Sequence, residues 1–130
     1  MYDQFMIVGD AFKNVVEDGQ VVGFQIGARL PYYRGIVLSL IGDTDLFVDG
    51  ERMPRETMTV TVDGKTYPLS QLENEPDVKW EFGDVGILTA RMPGGLAAGD
   101  HTLQLKMHLK ISYVPVGFSG SDTKTLTLTA

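Results

Sequence analysis

Hydrophobic and polar residues alternate with a period of two along several segments of this chain. In the segment HTLQLKMHLKISY (residues 101–113), Leu103, Leu105 and the following odd-numbered residues are apolar or aromatic, whereas all the even-numbered residues are polar. A strand with one face on a core and the other in water shows this pattern. The segments ILTARM (87–92) and KTLTLTA (124–130) repeat it. All three segments are therefore predicted to be antiparallel strands.

Three Asp-Gly pairs predict tight hairpins. Asp-Gly readily adopts the two positive φ angles of a type I′ turn. Each pair lies between segments rich in valine, threonine and aromatic residues, which favour strands. The pairs are Asp18-Gly19, Asp49-Gly50 and Asp63-Gly64.

Helix signals are scarce by comparison. Only SQLENE (70–75) has a candidate N-cap, Ser70, with the acidic Glu73 three residues later, and Pro76 limits the helix to a turn or two. Short strands with turn signals about every ten residues indicate an all-β fold, an antiparallel two-sheet β-sandwich or jelly roll with very little helix. No repeat or linker divides the chain, so residues 1–130 are predicted to form a single β-sandwich domain.

The composition narrows the possible partners and locations. The formal net charge is −6, which argues against nucleic acid because phosphate binding needs a clustered basic face. No cysteine is present, which excludes disulfides and thiolate metal sites. The first residues, MYDQFMIVGDAF, lack the basic leader and long apolar core of a signal peptide, and no apolar run is long enough to span a bilayer. We therefore expect a cytoplasmic protein without membrane contact.

Motifs for catalysis and metal binding are weak. GFSGS (117–121) departs from the G-x-S-x-G pattern of a nucleophile elbow, and no helix is predicted after it. His101 and His108 are seven residues apart on opposite faces of one strand, so they cannot bind the same ion, and both are expected to be solvated or turn histidines. The acidic segment ENEPD (73–77) is more typical of an exposed loop than of a cation site. We predict no catalytic residue and no metal ligand on this chain.

The segment RLPYYRGIVLSLI (29–41) is unusual for a two-layer sandwich. If residues 36–41 form a strand, Ile36, Leu38 and Leu40 face one side while Val37 and Ile41 face the other. A two-layer sandwich covers only one of these faces. Either a loop or sheet edge of the chain folds over the second face, or a partner protein does.

Aromatic residues near prolines and glycines offer a second indication of a partner. Tyrosine and arginine supply much contact energy in interfaces. We predict that residues 31–35 form a loop at one end of the sandwich, hold Tyr32, Tyr33 and Arg34 outward, and form the main partner contact together with residues 113–118. Burial in the core and stacking on a sugar are the alternatives. The predicted partner interface or active-site rim comprises Pro31, Tyr32, Tyr33, Arg34, Ile36, Tyr113, Pro115 and Phe118.

Several blocks of the sequence are similar to a known family. They occur in order over nearly the whole chain: DAFKNVVEDGQVVGFQIGARLPYYRGIVLSLI (10–41), VDGERMPRE (48–56), DVKWEFGD (77–84), PGGLAAGDH (93–101), ISYVPV (111–116) and KTLTL (124–128). Together they resemble the small β subunit of bacterial C-glycoside deglycosidases.

The resemblance implies a β-sandwich subunit that carries no cofactor and binds a larger α subunit. That subunit is expected to have a sugar-isomerase-like barrel with a divalent metal, manganese or magnesium. The implied activity is a carbon-carbon lyase acting on 3-oxo-C-glycosides, with this chain as a non-catalytic accessory subunit. One alternative is a stand-alone carbohydrate-binding β-sandwich, suggested by Tyr32, Tyr33, Trp80 and Tyr113. Another is a homo-oligomer that covers the apolar segment with its own copy.

Overall fold

The structure is a computed structural model and describes residues 5–32, 35–110 and 118–129, with Phe118 described by its backbone alone. Its strands are β1 (Ile7–Glu17), β2 (Gln20–Ala28), β3 (Ile36–Val37), β4 (Ile41–Val48), β5 (Glu51–Arg52), β6 (Met58–Val62), β7 (Lys65–Pro68), β8 (Lys79–Trp80), β9 (Gly86–Arg91), β10 (Gly99–Leu109) and β11 (Phe118–Leu128). Short 3₁₀ helices lie at Leu38–Leu40, Arg55–Thr57 and Leu69–Asn74.

The strands form two main antiparallel sheets that pack face to face. One sheet has five strands in the order β1-β2-β9-β6-β7, and the other has four in the order β11-β10-β4-β5. The short strands β3 and β8 pair separately. Both main sheets contribute to one hydrophobic core, so the predicted all-β sandwich is confirmed. Within the described ranges, no helix is long and apolar enough to cross a membrane.

The three predicted hairpins are present. Asp18, Asp49 and Asp63 have φ angles of 51°, 52° and 53°, and the glycine after each also has a positive φ. The turns connect β1 to β2, β4 to β5 and β6 to β7. Asp-Gly is needed here because a type I′ turn places both central residues in the left-handed region.

The alternation predicted for residues 101–113 is confirmed over the described part of that segment. In β10, Leu103, Leu105, Met107 and Leu109 are buried in the core, whereas the residues between them face outward. Residues 111–113 lie outside the described residues. β10 is central because it pairs with β11 on one side and with β4 on the other.

The predicted continuous strand over residues 36–41 is wrong. The chain forms strand only at Ile36 and Val37, turns through the 3₁₀ helix Leu38–Leu40, and enters β4 at Ile41. The backbone nitrogen of Leu38 donates to the carbonyl of Val78 at 2.8 Å, and this turn buries the Leu38 side chain completely. The turn therefore buries Ile36, Leu38 and Ile41 and leaves Leu40 exposed, so the segment does not present two apolar faces.

The prediction of Ser70 as an N-cap is also wrong. The 3₁₀ helix Leu69–Asn74 begins after Pro68 and has no side-chain cap hydrogen bond. Leu69 and Leu72 are both buried. Residues three apart eclipse each other in a 3₁₀ helix, so burial of this leucine pair explains the position of the segment better than the capping motif does.

Different contacts close the two open sides of the sandwich. On one side, the backbone nitrogen of Ile7 in β1 donates to Asp122 of β11 at 2.9 Å. Lys124 donates to the same carboxylate at 2.9 Å and to the Ile7 carbonyl at 2.7 Å. These side chains join the edges of the two sheets where the strands themselves do not pair. On the other side, Leu69 and Leu72 of the 3₁₀ helix join the core.

Candidate functional site

Exposed apolar side chains are concentrated at one end of the sandwich. Among the described residues, five large hydrophobic side chains are exposed, and four of them lie where β1, β4 and β9 begin. The fifth, Val16, is 59% exposed and lies at the opposite end, beside the Asp18-Gly19 turn. We call the first group the apolar end: it consists of Phe5, Leu40, Phe82 and Val85, which are 39–48% exposed.

The apolar end contains a depression of about 270 Å³ between two phenylalanines. Phe5 and Phe82 line it together with Arg29, Leu30 and Gly83. The backbone nitrogen of Arg29 donates to the Met6 carbonyl at 2.8 Å, which fixes the end of β2 beside the start of β1. The depression thus lies between segments that main-chain hydrogen bonds hold in place.

Trp80 fixes the turn that presents Phe82. Its ring is 2% exposed, and its Nε1 donates to the carbonyl of Asp84 at 2.9 Å. The backbone nitrogen of Asp84 donates back to the Glu81 carbonyl at 3.1 Å, which closes the turn. Because the indole ring is buried and its Nε1 is hydrogen-bonded, Trp80 holds this turn in one position. Phe82 is therefore exposed on an ordered turn.

Sequence reasoning missed Phe5, Phe82 and Val85. The available signal was the segment EFGD (81–84), which places an aromatic residue inside a polar turn whose glycine has a φ of 85°. An apolar residue in such a turn has no predicted core face. Its exposure could have been expected from that position.

Three of the predicted interface residues are buried. Tyr32 is 6% exposed and belongs to the core, so the prediction that it is held outward is wrong. The chain after Leu30 folds over the end of the core instead of projecting from it, because Leu30, Pro31, Tyr32 and Ile36 are all buried. Tyr33, Arg34, Tyr113 and Pro115 and the side chain of Phe118 lie outside the described residues.

The described residues that flank the two predicted interface segments lie at the same end of the sandwich. The segment from Arg29 follows β2, the segment from Lys110 follows β10, and both strands end there. The backbone nitrogen of Lys110 donates to the Leu40 carbonyl at 2.7 Å. A side chain at Gly120 of β11 would collide with Pro31, so these two residues are in direct contact. The interface role of the predicted set stays a prediction.

Two of the four rings proposed for sugar stacking are not accessible. Tyr32 and Trp80 belong to the core and have almost no exposed surface. A stacking platform needs an exposed ring face, so these two rings cannot provide one in this conformation. Tyr33 and Tyr113 lie outside the described residues.

Of the two environments that the sequence suggested for His101, solvent or a turn, the structure shows a turn. Its side chain is 11% exposed, and its ring nitrogens lie 2.7 Å from Asp49 Oδ2 and 2.7 Å from the Ala97 carbonyl. The hydrogen bonds to Ala97 and then Asp49 raise the pKa of His101. The hydrogen bond from His101 lowers the pKa of Asp49. These two groups hold a turn and a loop at the end opposite the apolar end.

His108 lies on the outer face of the four-stranded sheet. Its Nδ1 is 2.8 Å from the hydroxyl of Ser119, the serine of the GFSGS motif. The pair sits in a wide, open depression that also contains Asp43 and Asp45. Both carboxylates are paired with arginines in their surroundings, Arg55 and Arg52 respectively. This arrangement is a solvated sheet surface, in agreement with the expectation for His108.

No metal-binding cluster is formed by the residues that the structure describes. Three or more histidine, aspartate or glutamate side chains never come together there in a way that could hold an ion. The described part of the chain therefore does not fit a divalent metal site.

Comparison with known proteins identifies the family. The family model described as C-glycoside deglycosidase beta subunit matches residues 2–113. The C-glycoside deglycosidase beta subunit of Eubacterium cellulosolvens is 36% identical over 105 residues, which cover 80% of this chain and 71% of that protein. The 3'-dehydrocarminate deglycosidase beta subunit of a Microbacterium species is 32% identical over 117 residues, which cover 89% of this chain and 83% of the relative. This chain therefore belongs to the C-glycoside deglycosidase beta subunit family.

Proposed function

We propose that this chain is the non-catalytic β subunit of a cytoplasmic enzyme whose larger α subunit carries the active site. The observation that carries the proposal is the family match over residues 2–113, together with relatives whose names describe β subunits of deglycosidases. A β subunit implies at least one other kind of chain. We assign to that chain a sugar-isomerase-like barrel.

The proposed reaction is elimination from a C-glycoside already oxidised to its 3-oxo sugar. The ketone acidifies the hydrogen on the neighbouring sugar C2, and a base removes that proton. The bond between sugar C1 and the aglycone carbon then breaks, a C1–C2 double bond forms, and the aglycone carbon takes up a proton. A divalent manganese or magnesium ion on the α subunit would supply electrostatic stabilisation of negative charge.

The placement of the side chains with shifted pKa values supports a non-catalytic role. The described side chains with shifted pKa values, His101 and Asp49, are both engaged in holding a turn and a loop. Perturbed groups at an active site would instead face a cleft.

We further propose that the α subunit covers the apolar end. Proteins rarely leave a cluster of large apolar side chains in water, and such clusters often mark protein contacts. Phe5 and Phe82 flank a depression that could accept a partner side chain. Pro31, one of the predicted interface residues, contacts Gly120 at this same end.

Reconstitution tests the division of labour. The purified chain, the α subunit and the complex are each incubated with a 3-oxo-C-glycoside, and release of the aglycone is measured. Turnover is expected from the complex and not from this chain alone. Removal of divalent metal from the complex should abolish turnover, and manganese or magnesium should restore it. Turnover by the purified chain alone would refute the proposal.

The two alternative functions give different outcomes in simple assays. Calorimetric binding of a glycoside by the isolated, monodisperse chain would favour a carbohydrate-binding module. A stable dimer of the isolated chain in light scattering, with no affinity for the α subunit, would favour a homo-oligomer.

A further inference from the structure

His101 joins three separate parts of the fold through one ring. It lies near the start of β10, between the β4–β5 turn that contains Asp49 and the β9–β10 loop that contains Ala97. Its Nδ1 is 2.7 Å from Asp49 Oδ2, and its Nε2 is 2.7 Å from the carbonyl oxygen of Ala97. Phe12 of β1 packs against the ring edge-on at a centroid distance of 6.3 Å.

Both contacts are satisfied only by a protonated ring. The carboxylate of Asp49 and the carbonyl of Ala97 are hydrogen-bond acceptors, so both ring nitrogens must donate. A neutral imidazole carries a single N–H. Asp49 is charged and forms the stronger bond, so it retains the proton on Nδ1. The neutral ring would then turn the lone pair of Nε2 toward the Ala97 carbonyl, and this contact would be lost.

Other hydrogen bonds around the β9–β10 loop keep the loss of the Ala97 contact local. Gly94, Gly95 and Gly99 have positive φ angles of 85°, 63° and 121°. Leu96 is held separately, because Asn14 donates to its carbonyl at 3.0 Å and accepts from its backbone nitrogen at 3.0 Å. On the other side of the ring, Asp49 also accepts a hydrogen bond from the Thr102 nitrogen at 2.9 Å. Loss of the Ala97 contact therefore leaves both Leu96 and the β4–β5 turn anchored.

We propose that His101 is a pH-dependent latch that holds residues 97 and 98 against the start of β10 while its ring is protonated and releases them when the ring becomes neutral. Among the described residues, the charged groups near the ring are Asp49 from the β4–β5 turn and its neighbour Asp100, and both favour the cation. The neighbours from β1 and β11, Phe12 and Leu126, are uncharged. The pKa of His101 is raised, first by the bond to Ala97 and then by the bond to Asp49.

A nitrogen-detected NMR titration of the full chain from acidic to alkaline pH tests the latch. The His101 ring is expected to titrate above the ordinary value of 6.5, with protons on both nitrogens below the midpoint and on Nδ1 alone above it. The amide nitrogen of Ala98 shares a peptide group with the Ala97 carbonyl, so it should shift with the same midpoint. The amide of Leu96 should not.

Variants separate a latch from a merely structural contact. Asp49→Asn keeps an acceptor for Thr102 but removes the charge, so the His101 midpoint should fall. His101→Gln should abolish the titration of the Ala98 signal, and His108→Gln, which alters the other histidine, should leave it unchanged. The proposal is wrong if wild-type His101 titrates at or below 6.5, or if the Ala98 signal does not follow it. Both of these readings use the unmodified chain and do not depend on the folding of a variant.

Discussion

Phe82→Ala and Tyr32→Ala should affect two different properties of the subunit. Phe82 is about half exposed at the apolar end, whereas Tyr32 is 6% exposed in the core. If the α subunit covers the apolar end, loss of Phe82 weakens association. Loss of Tyr32 destabilises the isolated subunit, because its ring contributes to the core.

The burial of each ring sets the size of its effect. Truncation of a buried aromatic side chain to alanine costs about 3–5 kcal/mol of unfolding free energy, which for a domain of this size lowers the melting temperature by roughly 10–20 °C. Full burial of a phenylalanine contributes about 1.5–3 kcal/mol, so the half-buried Phe82 should cost the isolated subunit roughly 1 kcal/mol. An aromatic anchor in an interface contributes about 2 kcal/mol or more, which weakens binding roughly thirtyfold.

Thermal unfolding of the isolated chain and calorimetric titration with the α subunit measure the two effects separately. Val16→Ala is the matched control, because Val16 is an exposed apolar residue at the opposite end of the sandwich. It should change neither property appreciably. If Phe82→Ala and Phe5→Ala both bind the α subunit as tightly as Val16→Ala does, the apolar end is not the interface.

Three further predictions concern stability. Asp122→Ala leaves the buried nitrogen of Ile7 without its acceptor and should lower the free energy of unfolding by about 2–3 kcal/mol in chemical denaturation. Arg52→Ala, the control, breaks an exposed ion pair and should cost under about 0.5 kcal/mol; equal effects would contradict the role of the edge contact. Because the folded-state pKa of His101 is raised, its stabilisation should be complete below about pH 6.5 and lost as pH rises through the folded-state value, and His101→Gln should flatten this part of the stability profile. Trp80→Phe removes the hydrogen bond to the Asp84 carbonyl and should lower the free energy of unfolding by about 1–2 kcal/mol. Hydrogen exchange of the backbone amides in residues 81–84 should become faster. Unchanged exchange would show that Trp80 does not fix the turn.

The parts of the fold that depend on local chemistry could be predicted from the sequence. The Asp-Gly turns were predictable because few residue pairs adopt two successive positive φ angles. The strand β10 was predictable because its alternation extends over many residues and fits only one face on a core. Neither signal requires knowledge of the rest of the chain.

The parts that depend on distant contacts could not be predicted. A run of apolar residues such as 36–41 is compatible with a buried strand and with a buried 3₁₀ turn, and the choice rests on hydrogen bonds from Leu38 to Val78 and from Ser39 to Glu75. The environment of His101 depends on Asp49, which is 52 residues away in the sequence. The outward prediction for Tyr32 failed for the same reason, since residue type does not distinguish a core tyrosine from an interface tyrosine.

His101 and the apolar end lie at opposite ends of the sandwich. His101 and Leu109 lie on the same strand, and eight residues at about 3.3 Å each separate them by roughly 26 Å. Release of residues 97 and 98 is confined by the Asn14 contacts with Leu96 and by the Asp49 contact with Thr102. The pH dependence contributed by His101 should therefore appear in the stability of the isolated subunit. A parallel change in the affinity for the α subunit would mean that the partner also contacts the end that contains His101.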